Sequence, residues 1–123
     1  MMYIRFVVGG EDEHHRLLNG LITEARLLRD RGHFEQHEAD RLEDIYEWFN
    51  FNLPCPPFSN SNWSRDAVTW FKDSAKDSIK KIRELSIMLE SHGLMVRTLR
   101  SKNPGKILYE DDFQVVVEEW KHL

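Results

Sequence analysis

The last third of the chain changes from a helical to an alternating pattern at Gly93, and this order restricts the possible folds more than any other feature. Before Gly93, apolar residues recur at intervals of three and four, as on a helix packed along one side. After it, residues 94–100, 106–110 and 113–118 read as short strands separated by turn residues. Helices followed by hairpin-connected strands are typical of an α+β domain.

The first half of the chain predicts one strand and two helices. Residues 2–8 alternate in the period of a half-buried strand. Apolar stripes predict helices over residues 12–31 and 35–52, with Gly32 ending the first. The prolines of residues 54–57 end the second, because each removes a backbone donor and restricts the residue before it.

Residues 67–72 fit either a short strand or the first turns of a further helix, and we favour the helix. The third main helix is predicted over residues 75–91. Residues 1–123 are then one domain. Its predicted architecture is two-layer α+β, with three main helices packed on one face of a mainly antiparallel sheet of about three or four strands.

The strand pattern also assigns side chains to the two faces of the sheet. Those predicted to face the helices are Met2, Ile4, Phe6, Phe113, Val115 and Val117. Those predicted to face away are Tyr3, Arg5, Gln114, Val116 and Glu118, with Arg97 as a neighbour. An open face of this kind either binds a partner or faces water, as antiparallel sheets often do. Arg5, Arg97 and Gln114 are therefore candidate binding residues.

The net charge and the cysteine count restrict the cellular environment and the class of partner that we expect. The net charge is −4 and there is one cysteine, so we expect no internal disulfide and a reducing, cytoplasmic environment. Residues 65–106 are basic, with 10 Lys and Arg against 5 acids, between acidic flanks. This segment either forms a partner-facing surface or mixes its charges with the flanks on folding. The negative net charge of the chain argues against duplex nucleic acid as a partner.

The hydropathy pattern gives no indication of a membrane. No apolar run approaches the about 20 residues that a membrane-spanning helix needs. The N-terminal residues lack the basic leader of a signal peptide and soon reach an acidic cluster. We therefore expect a cytoplasmic protein without membrane contact, present as a monomer or a homodimer.

The titratable clusters lack the spacing of a catalytic or metal-binding motif. His33 and His37 share a helix face, but no His-Glu-x-x-His motif and no further ligands accompany them. The acids and histidines of residues 11–15 suit a helix start, which attracts acids electrostatically. Residues 110–112 suit an acidic turn, and Cys55 lies between prolines with no activating group nearby. We predict no metal, no cofactor and no catalytic residue.

Aromatic residues are concentrated on both sides of the Pro-rich stretch. Seven fall within 24 positions: Trp48, Phe49, Phe51, Phe58, Trp63, Trp70 and Phe71. Such density forms either the lid of a small core or the lining of a binding surface, since large rings bury much area and dominate binding hot spots. We favour the core and expect Trp70 to be mostly buried. In the alternative, Trp48, Phe58, Trp63 and Trp70 are candidate binding residues.

Segments spread over nearly the whole chain match a pattern known from other sequences. They are residues 27–32, 48–50 with 53–54, 70–75 and 104–116, the last reading Pro-Gly-Lys-Ile-Leu-Tyr-Glu-Asp-Asp-Phe-Gln-Val-Val. In these segments the chain resembles a family of small bacterial proteins. That family has no established activity, cofactor or catalytic residues, so the resemblance implies no function.

Two classes of function stay open from the sequence. The first is a small, non-catalytic binding or regulatory protein that acts by occupying a protein partner, as immunity proteins, antitoxins and inhibitors do. The second is a small-ligand binder or minor enzyme with a pocket at the aromatic and Pro-rich residues 48–71. We favour the first class, because no catalytic motif is present.

Overall fold

The computed structural model describes residues 1–8, 19–58, 62–63 and 67–119. The helices within these residues are α1 Leu21–Asp30, α2 Gln36–Asn52 and α3 Lys76–Ser91. The strands are β1 Tyr3–Val8, β2 Asn19–Gly20, β3 Val68–Lys72, β4 Val96–Ser101, β5 Lys106–Glu110 and β6 Gln114–Glu118. Helices beside an antiparallel sheet confirm the predicted α+β class, although the sheet has more strands than predicted.

Strand β1 lies inside the sheet and has neighbours along both of its edges. On one side it pairs with β4 over its full length, from Tyr3 opposite Ser101 to Val8 opposite Val96. On the other side β3 pairs with its first residues and β2 with its last. Beyond β3 follow β6 and then β5, and all of these pairings are antiparallel. Within the described residues, β4 and β5 are therefore the two long outer strands, and the two-residue strand β2 also pairs with β1 alone.

The helices and one face of the sheet enclose the main hydrophobic core. Ile4 and Phe6 of β1 belong to this core, as their alternation predicted. The buried residues that the helices contribute are Leu21, Ala25, Leu42, Ile45, Phe49, Ile79, Ile82, Leu85, Met88 and Leu89. They recur at helical spacing, so each helix buries one stripe. Helix α3 packs against both α1 and α2 and so joins the helical layer.

A second, smaller core lies on the opposite face of the sheet and corrects the predicted facing of β6. Trp70, Val115 and Val117 are buried together there, because the β3–β6 register places Trp70 opposite Val115. The prediction that Val115 and Val117 face the helices is therefore wrong. Gln114 does not face solvent either: it lies opposite Phe71, which packs against the helical core, and it is 1% exposed.

Two further residues of this segment also differ from the predicted facing. Phe113, predicted to point inward, is 37% exposed. Val116, predicted to point outward, is fully buried. A strand that is covered on both faces carries apolar residues at successive positions, so its alternation does not reveal which side faces the helices.

Residues 67–72, for which we favoured a helix, contain strand β3 instead. Its sequence Val-Thr-Trp-Phe-Lys holds β-branched and aromatic residues, which suit a pleated and half-buried surface. The strand pairs with β1 on one side and β6 on the other. These two neighbours, which are distant in the sequence, decide the conformation that the local pattern left ambiguous.

Helix α1 begins at Leu21, later than the predicted start at residue 12. Residues 12–18 lie outside the described part of the chain, while Asn19 and Gly20 pair with β1 as strand β2. The chain thus enters α1 directly from the sheet. Gly32 follows the helix in the left-handed region at φ 75°, as predicted for a C-terminal stop.

A contact between the start of α2 and the end of α3 ties the two helices together. The Glu38 carboxylate accepts a hydrogen bond of 3.1 Å from the Glu35 backbone N–H and lies 2.7 Å from His92 Nε2. The backbone hydrogen bond, followed by the contact with His92, lowers the pKa of Glu38 below its ordinary value. The Phe34 ring packs against His92, with ring centroids 5.0 Å apart.

We expect Glu38→Gln to lower the melting temperature near neutral pH and to lose this effect in acid. Because the pKa of Glu38 is lower in the folded than in the unfolded chain, the ionised carboxylate stabilises the fold above the unfolded pKa of about 4.3. That contribution disappears as pH falls through the lower, folded pKa. Melting curves recorded across this range measure the difference. A difference that stays constant with pH would contradict the account, and Glu47→Gln, at an exposed position of the same helix, is the control.

Candidate functional site

The aromatic residues that the sequence groups together are placed in separate parts of the structure. Phe49 is buried in the helical core and stacks on Phe71, with ring centroids 6.3 Å apart. Trp70 is buried on the opposite face of the sheet and is 6% exposed, as predicted. Phe51, next to the end of α2, is 93% exposed. The aromatic residues therefore do not form one lid, and most of them build cores.

Phe58 and Trp63 form a small contact of their own on the Pro-rich side. Their rings meet edge to face with centroids 5.4 Å apart, and Trp63 also approaches Tyr109 of β5 at 6.3 Å. Phe58 is 45% exposed. These two candidate binding residues thus lie together, near the β5–β6 hairpin, whereas Trp48 and Trp70 lie elsewhere.

A groove at the C-terminal end of α2 is a concave surface that carries exposed aromatic rings. It consists of two adjoining depressions of about 390 and 220 Å³, which share Asn52 and Phe113. We call it the Phe113 groove, and its lining residues are Trp48, Asn50, Phe51, Asn52, Leu53, Pro54, Cys55, Ser74, Ala75, Lys76, Asp77, Ser78 and Phe113. Of the candidate residues predicted from the sequence, it contains Trp48.

A hydrogen-bonded turn holds Phe113 at the rim of this groove. One oxygen of the Asp111 carboxylate accepts from the backbone N–H groups of Phe113 and Gln114, at 2.8 and 3.1 Å. The other accepts from the Tyr109 hydroxyl at 2.8 Å and from the Gln114 amide at 2.9 Å. Gln114 Nε2 also donates to the Pro54 carbonyl at 2.7 Å. The turn and the Pro-rich segment are thus fixed to each other.

The pKa of Asp111 reflects this arrangement. Burial by itself would raise it, but the hydrogen bonds from Gln114, the Phe113 backbone and Tyr109 outweigh burial and lower it below the ordinary value. Conversely, the contact with Asp111 raises the pKa of the Tyr109 hydroxyl. The carboxylate therefore acts as a partly buried hydrogen-bond acceptor that holds the turn together.

The other walls of the groove come from the ends of two helices. Asn52 Nδ2 donates to the Trp48 carbonyl at 2.8 Å, which fixes the Asn52 side chain against the last turns of α2. The Trp48 ring packs edge to face on Phe49 and lies 5.9 Å from the Lys81 amine. The start of α3 supplies the remaining wall.

The surface of the groove is apolar and amide-rich, with an acidic border. Phe51 and Phe113 are its exposed rings. Asp77 lines the groove next to Lys76. Asp73 and Asp112 are exposed and adjoin lining residues in the sequence. These three carboxylates outnumber two nearby amines, that of Lys76 and that of Lys81 beside the Trp48 ring.

The remaining candidates, Arg5, Arg97 and Gln114, do not come together in one site. Gln114 belongs to the turn on the helical side, as described above. Arg5 lies on the opposite face, 3.8 Å from the Glu119 carboxylate. Burial lowers the pKa of Arg5, and Glu119 opposes this shift. Arg97 lies diagonal to Arg5 across β1 and β4, and its Nη1 atom is buried with no hydrogen-bond partner in the described part of the structure.

The residues weighed as metal ligands or nucleophile remain dispersed. His33 and His37 are exposed, and His37 Nδ1 lies 3.4 Å from Glu35. Cys55 is an exposed free cysteine whose thiol faces the Pro56 carbonyl at 3.6 Å. Residues 11–15 fall outside the described residues. Among those that the structure does describe, no three His, Cys, Asp or Glu side chains are arranged to hold a metal ion.

The sequence predicted a turn at residues 110–112 but not that Asp111 and Gln114 hold Phe113 at the rim of the groove. An aspartate two positions before Phe113 and three before Gln114 is the spacing of an Asx turn, which could have shown this role of Asp111. No local signal shows that Phe51 stays exposed, because an apolar residue late in a helix is equally compatible with burial.

Comparison with known proteins gives no match: no family model, no curated protein and no solved structure matches this chain. The resemblance to a family of small bacterial proteins stays a prediction. Among the described helices, none is both long enough and apolar enough to cross a lipid bilayer.

Proposed function

We propose that the protein is a non-catalytic binding protein that acts by occupying a protein partner through the Phe113 groove. The observation that supports this most is the exposure of Phe51, at 93%, beside the exposed ring of Phe113. Leaving a phenylalanine in water gives up about 2–3 kcal/mol of burial free energy that a partner surface can recover. Exposed rings at the rim of a concave surface are a common feature of interaction sites.

The shape of the surface favours a protein over a small molecule. A ligand within either depression would leave a side chain as exposed as Phe51 largely in water, whereas a protein surface can cover it together with Phe113. The lining also offers amides and one adjacent Lys76–Asp77 pair in place of converging catalytic groups. We therefore favour a protein partner over the small-ligand function that the sequence left open.

The charge at the groove indicates the chemistry of the partner. Asp73, Asp77 and Asp112 stand at or beside the lining, against the amines of Lys76 and Lys81. A segment with an apolar side chain between Lys or Arg residues would place its apolar group on the exposed rings and its charges near the acids. Complementary charge chiefly speeds association and selects the partner.

Selection from a displayed library of random peptides tests this proposal. We expect peptides enriched on the folded protein to share an aromatic or large aliphatic residue flanked by Lys or Arg. Each should bind Ile87→Ser, which alters a side chain that is 70% exposed on α3, as well as it binds the wild-type protein. Absence of any enriched peptide whose binding depends on Phe51, or Phe51-dependent peptides that are acidic, would refute the groove as the partner site.

A further inference from the structure

Strand β4 presents a regular and open edge. It pairs with β1 through six consecutive positions, from Val96 opposite Val8 to Ser101 opposite Tyr3, with no shift of register. No other described strand pairs with it. In an antiparallel edge strand, every second residue directs its N–H and C=O away from the sheet. The outer side of β4 therefore offers a row of main-chain donors and acceptors.

The opposite edge of the sheet is less suited to accept a strand. The pairing of β5 with β6 shifts register between Ile107 and Tyr109. Such bulges twist an edge and interrupt the regular spacing of its backbone groups. Of the two long outer strands in the described sheet, β4 is the one whose geometry matches a further strand.

Strand β4 and the turn that follows it are basic. Residues 96–105 contain Arg97, Arg100 and Lys102 and no Asp or Glu. On the neighbouring strand β1, Arg5 lies 3.8 Å from the Glu119 carboxylate. Arg100 is exposed. The Nη1 atom of Arg97 has no hydrogen-bond partner in the described part of the chain, although it is buried. A buried N–H group without an acceptor is unfavourable, so an added carboxylate near Arg97 would satisfy it.

We propose that β4 accepts an extended acidic segment of a protein partner as an additional strand of the sheet. Main-chain hydrogen bonds to the open edge would hold the segment. Acidic side chains on its two faces would lie near Arg97 on one side of the sheet and near Arg100 on the other. Nucleic acid offers no backbone amides for this edge. A second copy of β4 would bring the same basic side chains against each other, whereas an acidic strand brings opposite charge.

This surface is separate from the Phe113 groove and does not depend on it. The groove is formed by the C-terminal end of α2, the start of α3 and the β5–β6 turn. Because β4 lies on the far side of β1 from β3 and β6, the two surfaces can be tested with independent variants.

A labelled peptide that repeats Thr-Thr-Glu-Glu over the length of β4, and so carries Glu on both faces of the strand, tests the inference by fluorescence anisotropy. We expect saturable binding that weakens by at least about tenfold in Arg100→Glu. Lys80→Glu, which makes the same charge change at an exposed position of α3, should bind within about twofold of wild type, as should Phe51→Ser. Amide NMR spectra of Arg100→Glu confirm that its fold is retained.

Two altered peptides test the mechanism of binding. The same peptide with an N-methyl group on every residue loses its backbone donors along both edges, and a Thr–Lys peptide reverses its charge, so neither should bind. Absence of saturable binding by the Thr–Glu peptide, equal binding of either altered peptide, or equal effects of Arg100→Glu and Lys80→Glu would overturn the proposal. Arg100-dependent binding of single-stranded oligothymidine in place of the peptide would assign the surface to nucleic acid and also overturn it.

Discussion

Trp70→Ala is expected to lower the free energy of unfolding by about 3–5 kcal/mol, a large share of the stability of a domain of this size. The ring is 6% exposed and packs with Val115 and Val117 of the neighbouring strand β6, which are fully buried. Removing the ring would leave a cavity in the second core, next to β3, which connects β1 to β6 in the sheet. Urea unfolding at constant ionic strength measures the loss.

The conservative variant separates packing from hydrogen bonding at the same site. Trp70 Nε1 is buried with no hydrogen-bond partner in the described part of the chain. Trp70→Phe keeps an aromatic ring and removes this N–H, so we expect it to cost clearly less than Trp70→Ala, about 1–2 kcal/mol. A Trp70→Ala protein as stable as wild type would show that this face does not form a core.

Gly105→Ala is expected to destabilise the protein by about 2–3 kcal/mol, because the added methyl group collides with backbone. A Cβ at this buried position would stand 2.9 Å from the Glu118 carbonyl carbon and 3.0 Å from Glu119 Cα. Backbone atoms cannot rotate away as the end of a side chain can. The start of β5 would therefore have to separate from the end of β6.

Gly20→Ala is the matched control for this prediction. A Cβ at Gly20 meets nothing within 4 Å, and its φ of −67° suits any residue. We expect a change within about 0.5 kcal/mol of wild type. Thermal or urea unfolding of both variants decides the matter, and equal stability of Gly105→Ala and Gly20→Ala would contradict the close approach of β5 to β6.

Elements whose apolar residues follow a regular spacing could be predicted from the sequence, and a continuous apolar strand could not. In β1 the alternation around Ile4 and Phe6 identifies the side that faces the helices, although Val7 on the other side is also buried. Helices α2 and α3 each show one apolar stripe. In β6 the run Val115–Val117 is buried throughout, since one core lies on each side of the strand. A strand without alternation carries no information about its facing, so the prediction for β6 failed.

The candidate site was less predictable than the fold, for a related reason. The density of aromatic residues in the sequence does not distinguish a ring that fills a core from an exposed ring that can bind a partner. Phe49 and Phe51 lie two positions apart in α2, yet they are 7% and 93% exposed, because helical geometry turns them about 200° apart. The groove depends on the β5–β6 turn reaching the end of α2, a contact between segments about 60 residues apart.

The affinity of the tightest library-selected peptide for Phe51→Ser tests the proposed partner site most directly. Isothermal titration of wild-type protein, Phe51→Ser and Ile87→Ser compares two exposed apolar residues that undergo the same replacement. If the groove is the partner site, Phe51→Ser weakens binding by at least about tenfold, while Ile87→Ser stays within about twofold of wild type. Equal affinities for all three proteins would contradict the proposal and place the partner surface elsewhere on the fold.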